Sequence, residues 1–235
     1  MGLRPRAQKR ALNRFAISLI ALAAAGLACR SAEHELIDRF LEAESRQDNQ
    51  SVALLSMVAF PGEVVDFRVV TMSEERRGPY RVAAMRERVR EAEAHRDEQF
   101  KRFGDFRQAN YDELLKVQRL LPEAPARKLE GRLGELQRQW DAFREERRVT
   151  VSSLHEAEQE LEREIRRVQK SLQREADPES LTGGTLTKEA SVRVTTKQDG
   201  EGVYVVTLTR YDIENSFGAV VPTRWIVTAV EPEAE

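Results

Sequence analysis

One cysteine, Cys29, serves a chain of 235 residues. No intramolecular disulfide can therefore brace the fold, whatever the redox state of its compartment. Three histidines, His34, His95 and His155, stand far apart in sequence and match no zinc-ligand spacing, so no metal centre is expected. Aromatic residues make up 6% of the chain and charged residues 33%. That balance favours long solvated helices over one compact core. Proline is missing from 80 to 121 and again from 126 to 177. Proline breaks helix interiors, so these gaps predict two very long helices joined at LPEAP, residues 121 to 125.

What is present begins with the surroundings of the cysteine. Residues 1 to 14 carry Arg4, Arg6, Lys9, Arg10 and Arg14 and no acid, and Phe15 to Ala28 is apolar except for Ser18 and Gly26. A basic segment, a short apolar run and small residues describe a secretory signal. The run is shorter than the ~20 residues of a membrane span. With Leu27 and Ala28 before Cys29 it resembles the lipobox of bacterial lipoproteins, although Gly26 stands where leucine is usual. The resemblance implies cleavage before Cys29, lipidation of its sulfur and acylation of the new N-terminus, and two or more acyl chains anchor stably. Arg30, in place of an aspartate, points to the outer membrane. Removing residues 1 to 28 takes away five positive charges, so the formal net charge moves from −2 to −7. No basic nucleic-acid footprint is left.

Apolar spacing assigns the rest. Residues 33 to 47 place Leu36, Ile37, Phe40, Leu41 and Ala43 on one helical face, and 51 to 59 read as a second, short helix. EVVDFRVVTM at 63 to 72 reads as a strand. In the first long helix Val82, Met85, Val89 and Ala92 follow a coiled-coil seam, continued by Arg96, Phe100 and Phe103. In the second, Leu129, Leu133, Leu136, Trp140 and Phe143 lead through Arg147 to Val151, Leu154, Glu158, Leu161, Ile165, Val168 and Leu172. Steps of four at 92, 96, 100 and at 143, 147, 151 read as stutters, which locally unwind a supercoil. Folded about the loop, residues whose numbers sum to about 247 face each other, and the two stutters coincide. Three strands are expected at 190–197, 203–211 and 220–230, with DGEG at 199 to 202 as a hairpin turn.

The predicted fold is α+β: a long antiparallel helical hairpin inserted in a small domain with N-terminal helices and a C-terminal antiparallel sheet of three to four strands. The segments are 1–28, the signal peptide; 29–78, the lipidated N-terminus with two helices and a strand; 79–177, the coiled-coil hairpin; and 178–235, the closing meander. On LIDRFLEAESRQD and VPTRWIVTAVEP, the order of elements resembles the nuclear-transport-factor-2-like (SnoaL-like) cone. The resemblance implies a pocket, with Phe40, Tyr204 and Trp225 as its candidate lining. The acid or histidine base and polar partner of that family's enzymes are not found as a pair, so no catalytic residue is assigned and no cofactor is expected.

The functional expectation is a non-enzymatic envelope lipoprotein, anchored to the outer membrane through Cys29 and facing the periplasm. Its hairpin would dock another envelope protein or pair with a second copy. One alternative is a small-molecule-binding module using the cone's pocket. Another is a periplasmic adaptor-like subunit of a transport system, against which stands the short β portion.

Overall fold

A computed structural model describes residues 31–120 and 129–233. The fold is α+β, with five α-helices and a six-stranded antiparallel sheet among the described residues. The elements are α1 (Ala32–Ser45), α2 (Asn49–Leu55), β1 (Val64–Met72), β2 (Arg76–Pro79), α3 (Val82–Ala109), α4 (Tyr111–Leu120) and α5 (Gly131–Ser171). A 3₁₀ turn at Pro178–Ser180 leads to β3 (Thr182–Thr196), β4 (Gly200–Glu214), β5 (Val220–Val221) and β6 (Ile226–Pro232).

The sheet has more strands, and longer ones, than the sequence predicts. β3 and β4 pair without a register shift from Thr182↔Glu214 to Thr196↔Gly200. β1 and β2 lie in tandem along the outer edge of β3, and β6 and β5 in tandem along the outer edge of β4. Six strands thus make a sheet four strands wide. β2 was not expected from RRGP, and its Pro79 closes an edge strand, where a missing N–H costs no ladder bond. The hairpin turn is Lys197–Asp199, earlier than DGEG, with Gly200 taking the left-handed φ of 76°. Strand β4 then begins at Gly200 itself.

Side chains alternate between the faces of a strand. Because the β3–β4 ladder has no bulge, that alternation runs through its whole length. Ala190, Val192, Val194, Val206 and Leu208 are buried on one face against α1 residues Leu36, Ile37, Phe40 and Leu41. Tyr211 and Ile213, of opposite parity, are buried on the other face with Leu154, Leu161 and Val168 of α5 and Val82, Met85 and Val89 of α3. The molecule has two cores, on opposite faces and toward opposite ends of one hairpin. A third small cluster, Leu114, Val117 and Leu136 with Phe106, Leu133 and Trp140 against it, consists of helical residues and Leu129 and contains no strand residue.

Helices α3 and α5 lie side by side with opposed directions. Arg88 pairs with Glu160 at 3.0 Å, Arg102 pairs with Glu146, and the Arg147 guanidinium lies 4.9 Å from the centre of the Phe100 ring. The first arm is not one helix. It breaks at Asn110, whose side-chain amide donates to the Phe106 carbonyl, and α4 resumes at Tyr111. The two stutters are not seen. The seam runs Val82, Met85, Val89, Ala92, Arg96, Gln99, Phe103 and Phe106, in steps of three and four. On α5 it runs Phe143, Arg147, Thr150, Leu154, Ala157, Leu161, Glu164, Val168 and Ser171. The buried positions are Gln99 (1% exposed) and Thr150 (5%), whereas Phe100 (39%) and Val151 (44%) face out. Likewise Ala157 and Glu164 are buried in place of Glu158 and Ile165. Following apolarity alone moves the seam off its true line where polar residues occupy it.

Gln99 lies level with Thr150 in this register, and neither polar atom of its side-chain amide has a hydrogen-bond partner. An unsatisfied buried polar group costs about 1–3 kcal/mol. Gln99→Leu is therefore expected to raise the unfolding free energy of the chain by about that amount, read from its urea midpoint. A lower midpoint would mean that the amide is satisfied in solution.

Candidate functional site

Of the residues expected to matter, Cys29 and the signal segment lie outside the described residues, as does the 121–125 loop. Phe40, Tyr204 and Trp225 belong to one hydrophobic cluster. Phe40 is fully buried beneath the sheet. Tyr204 is half-buried, its ring 4.7 Å from that of Phe60. Trp225 borders a cleft of about 320 Å³ whose lining includes neither Phe40 nor Tyr204. The structure thus brings the three together as packing rather than around one cavity. His34 contacts the Ser31 hydroxyl and His155 contacts Gln159. No group of three or more metal-ligating side chains occurs among the described residues.

A wide groove lies on the helical arm, at the break between α3 and α4. It encloses about 820 Å³ over Gly104, Tyr111, Leu114, Leu115 and Trp140, with Lys101, Asp105, Arg107, Gln108 and Gln118 around it. Its floor is held from below. The Trp140 ring stacks at 5.0 Å on Phe103, and Phe143 lies 4.9 Å from Phe106. Gly104, without a side chain, leaves the space open, and the helix is interrupted at Asn110. Tyr111 is 58% exposed beside it. Such a groove has the composition of a site that takes an apolar surface within a polar rim.

Where the arm joins the sheet, a carboxylate is buried. Glu164 is 4% exposed; it accepts a hydrogen bond from the Tyr211 hydroxyl at 3.0 Å and one from Arg167 at 3.2 Å. Tyr80 packs edge-on to Tyr211 at 6.1 Å and donates to the Pro178 carbonyl at 2.6 Å. Burial first, and then the Glu164 charge, pushes both phenols well above the ordinary tyrosine range. They stay protonated and act as donors. Buried ions need such partners, and this one ties the α5 seam to strand β4.

Comparison with protein-family models, curated proteins and solved structures finds no match.

A second charge pair closes the α1 side. Lys188 meets Glu33 at 2.5 Å and also lies over Trp225, 5.5 Å from the ring centre. Burial alone would raise the Glu33 carboxyl. The Lys188 hydrogen bond, its own backbone N–H and Ser31 outweigh burial and hold it below the usual range. Nothing in the apolar spacing marks Glu164, Tyr211, Gln99 or Thr150 as functional or structural positions. An unbroken three-four count through polar residues, from Val89 to Phe103 and from Phe143 to Leu154, would have found Gln99 and Thr150. The Glu164–Tyr211 contact spans 47 residues and has no local signal.

Tyr211→Phe leaves one Glu164 oxygen without its donor. We expect a loss of about 1–3 kcal/mol in chemical denaturation, with little change if the carboxylate is wet instead. Glu33 supplies a pH test. A depressed carboxyl contributes stability above its unfolded pKa of about 4.3 and loses it as pH falls through the lower folded value. The stability difference between the wild type and Lys188→Met should be largest at neutral pH and shrink below about pH 4.3. A difference independent of pH would remove the pair from the account.

Proposed function

We propose that this protein is a non-enzymatic lipoprotein of the bacterial envelope, anchored at Cys29, whose helical arm docks a partner protein. In this reading α3, α4 and α5 form a coiled-coil hairpin inserted between β2 and β3 of a nuclear-transport-factor-2-like domain. The hairpin reading is supported by the opposed ion pairs and by the three-four seam on both helices. The domain reading is supported by the order α1, α2, β1 before the insertion and the β3, β4, β6 meander after it. The signal-like residues 1–28 and the small residues before Cys29 support export and lipidation.

The observation that carries docking is the groove at Gly104, Tyr111 and Trp140. It lies in the part of the arm whose core contains no strand residue. At about 1.5 Å per residue the 41 residues of α5 span roughly 60 Å, so this end stands far from the sheet. An aromatic floor with a mixed-charge rim suits the apolar face of an amphipathic helix from an envelope protein, laid into the groove. Exposed Tyr111 is a suitable anchor for it.

In-cell photocrosslinking from Gln108 and Gln118 tests the reading. One abundant crosslinked envelope protein is expected, with its yield lost on Trp140→Ala. Truncating such an anchor typically costs 2 kcal/mol or more, about thirtyfold in affinity. Crosslinks only to a second copy would replace docking by self-association, and no crosslink from abundant folded protein would end it. The mass of the mature N-terminal peptide tests the anchor separately. Acylated Cys29 is expected, and an unmodified thiol would refute it.

A further inference from the structure

We propose that the cleft beside Trp225 binds a phosphate group, and that the phosphate belongs to the headgroup of a membrane lipid. Three arginines from three separate elements reach this cleft: Arg39 from α1, Arg210 from β4, and Arg224 from the segment before β6. None has a carboxylate partner among the described residues. The arrangement is not the solvated ion pairing seen along the arm, where Arg88 meets Glu160 and Arg102 meets Glu146. One acid, Glu35, also borders the cleft. Three guanidinium groups against one carboxylate leave an unbalanced positive site.

Two of the three arginines are held in place by neutral groups. The Arg210 guanidinium lies over Trp225, 5.0 Å from its ring centre. Arg224 donates from Nε to the Lys170 carbonyl and from Nη2 to the Leu54 carbonyl, both at 3.2 Å. Neither contact neutralises a charge, and each leaves further N–H donors free. A guanidinium fork matches phosphate oxygens in pairs, and holding the fork beforehand removes much of the ordering cost of binding. The walls are equally fixed. Gln173 donates to the Thr223 carbonyl at 3.2 Å, and the Thr223 hydroxyl donates to the Tyr211 carbonyl at 2.5 Å.

A fourth cation deepens the field. The Lys170 ammonium donates to the Ala53 and Ser56 carbonyls at 2.7 and 2.5 Å, again without a carboxylate. Burial, and after it the Arg224 charge, lowers its pKa. Trp225 also meets Lys188, which Glu33 already engages. Positive charge is thus concentrated around one buried indole in a chain that is acidic overall.

The position of the cleft selects the source of the phosphate. Ala32 lines it, and Cys29 stands three residues earlier, at most about 11 Å along an extended chain. With the acyl chains on Cys29, the cleft is held at headgroup depth. This choice of source rests on the lipid anchor proposed above, whereas the phosphate site does not.

The test is a titration of the full chain in a neutral detergent, carrying Trp140→Phe so that Trp225 is the sole indole emitter. The probes are dihexanoylphosphatidylglycerol below its micellar concentration and, separately, inorganic phosphate, with chloride held constant. Saturable change of Trp225 emission with the lipid is expected. Arg210→Gln, Arg224→Gln and Arg39→Gln should each raise the half-saturating concentration about fivefold. The Arg39 side chain makes no hydrogen bond among the described residues, so Arg39→Gln keeps the test decisive if the other two variants misfold. No saturable response to either probe, or one that all three variants leave unchanged, overturns the site. Saturation by inorganic phosphate but not by the lipid overturns the lipid source. An unmodified Cys29 in the mass measurement removes the anchor while leaving this titration unaffected, so the two failures are distinguishable.

Discussion

The unbroken ladder between β3 and β4 is the constraint on which the rest of the structure depends. Over fifteen residue pairs it contains no bulge, so side-chain parity is kept from one end to the other. A strand with one buried face could serve only one layer of helices. Here the buried parity changes along β4, from Val206 and Leu208 to Tyr211 and Ile213. The hairpin thereby offers α1 one face near its turn and offers α3 and α5 the other face near its base. Gly183 belongs to the same constraint. At a φ of 135° it lets β3 approach Asp212 so closely that a Cβ would run into the backbone carbonyl. The base of the ladder, where the arm is seated, needs that approach.

The arm uses a different physics from the sheet. Its seam is narrow, its outer faces are charged, and polar residues interrupt the apolar line at Arg96, Gln99, Arg147, Thr150 and Glu164. Each is handled separately. Arg147 spreads its guanidinium over Phe100, Arg96 turns out to Asp97, and Glu164 is taken up by Tyr211 and Arg167. Gln99 is left without a partner. A buried polar residue in a helical seam is a known means of fixing register at a cost in stability. The matched level of Gln99 and Thr150 gives that device a location, midway between the sheet-side core and the cluster around Leu136.

The elements with strong local periodicity were legible in the sequence. Leu36, Ile37, Phe40, Leu41 and Ala43 give a helical face because all five are apolar, and the structure buries all five. β1 and the central parts of β3 and β4 were legible because valine alternates there. β2 was not, since Arg76–Pro79 has no strand-forming residue and is a strand only because the edge of β3 is open to it. The first half of β3, with two glycines, is ordered by the same partnership and was equally hidden. The seam was misread at Phe100 and Val151 because hydrophobicity was followed where geometry was the better guide. Of the residues expected to line a pocket, Trp225 borders a cleft, but its cationic neighbours arrive from α1, β4 and the loop before β6. That convergence has no signature in any single stretch of the chain.

Ala32, at the start of α1, and Gln173, just past the end of α5, line the same cleft. The arm ends beside this point, where α5 closes and the chain turns back toward β3. A tensile load applied between the chain ahead of Ala32 and the arm is therefore delivered across a few side chains at the root. It bypasses most of the α1 core and the far turn of the hairpin. Arg224, bonded to the carbonyls of Leu54 and Lys170, is a stitch across that root, tying α2 to the end of α5.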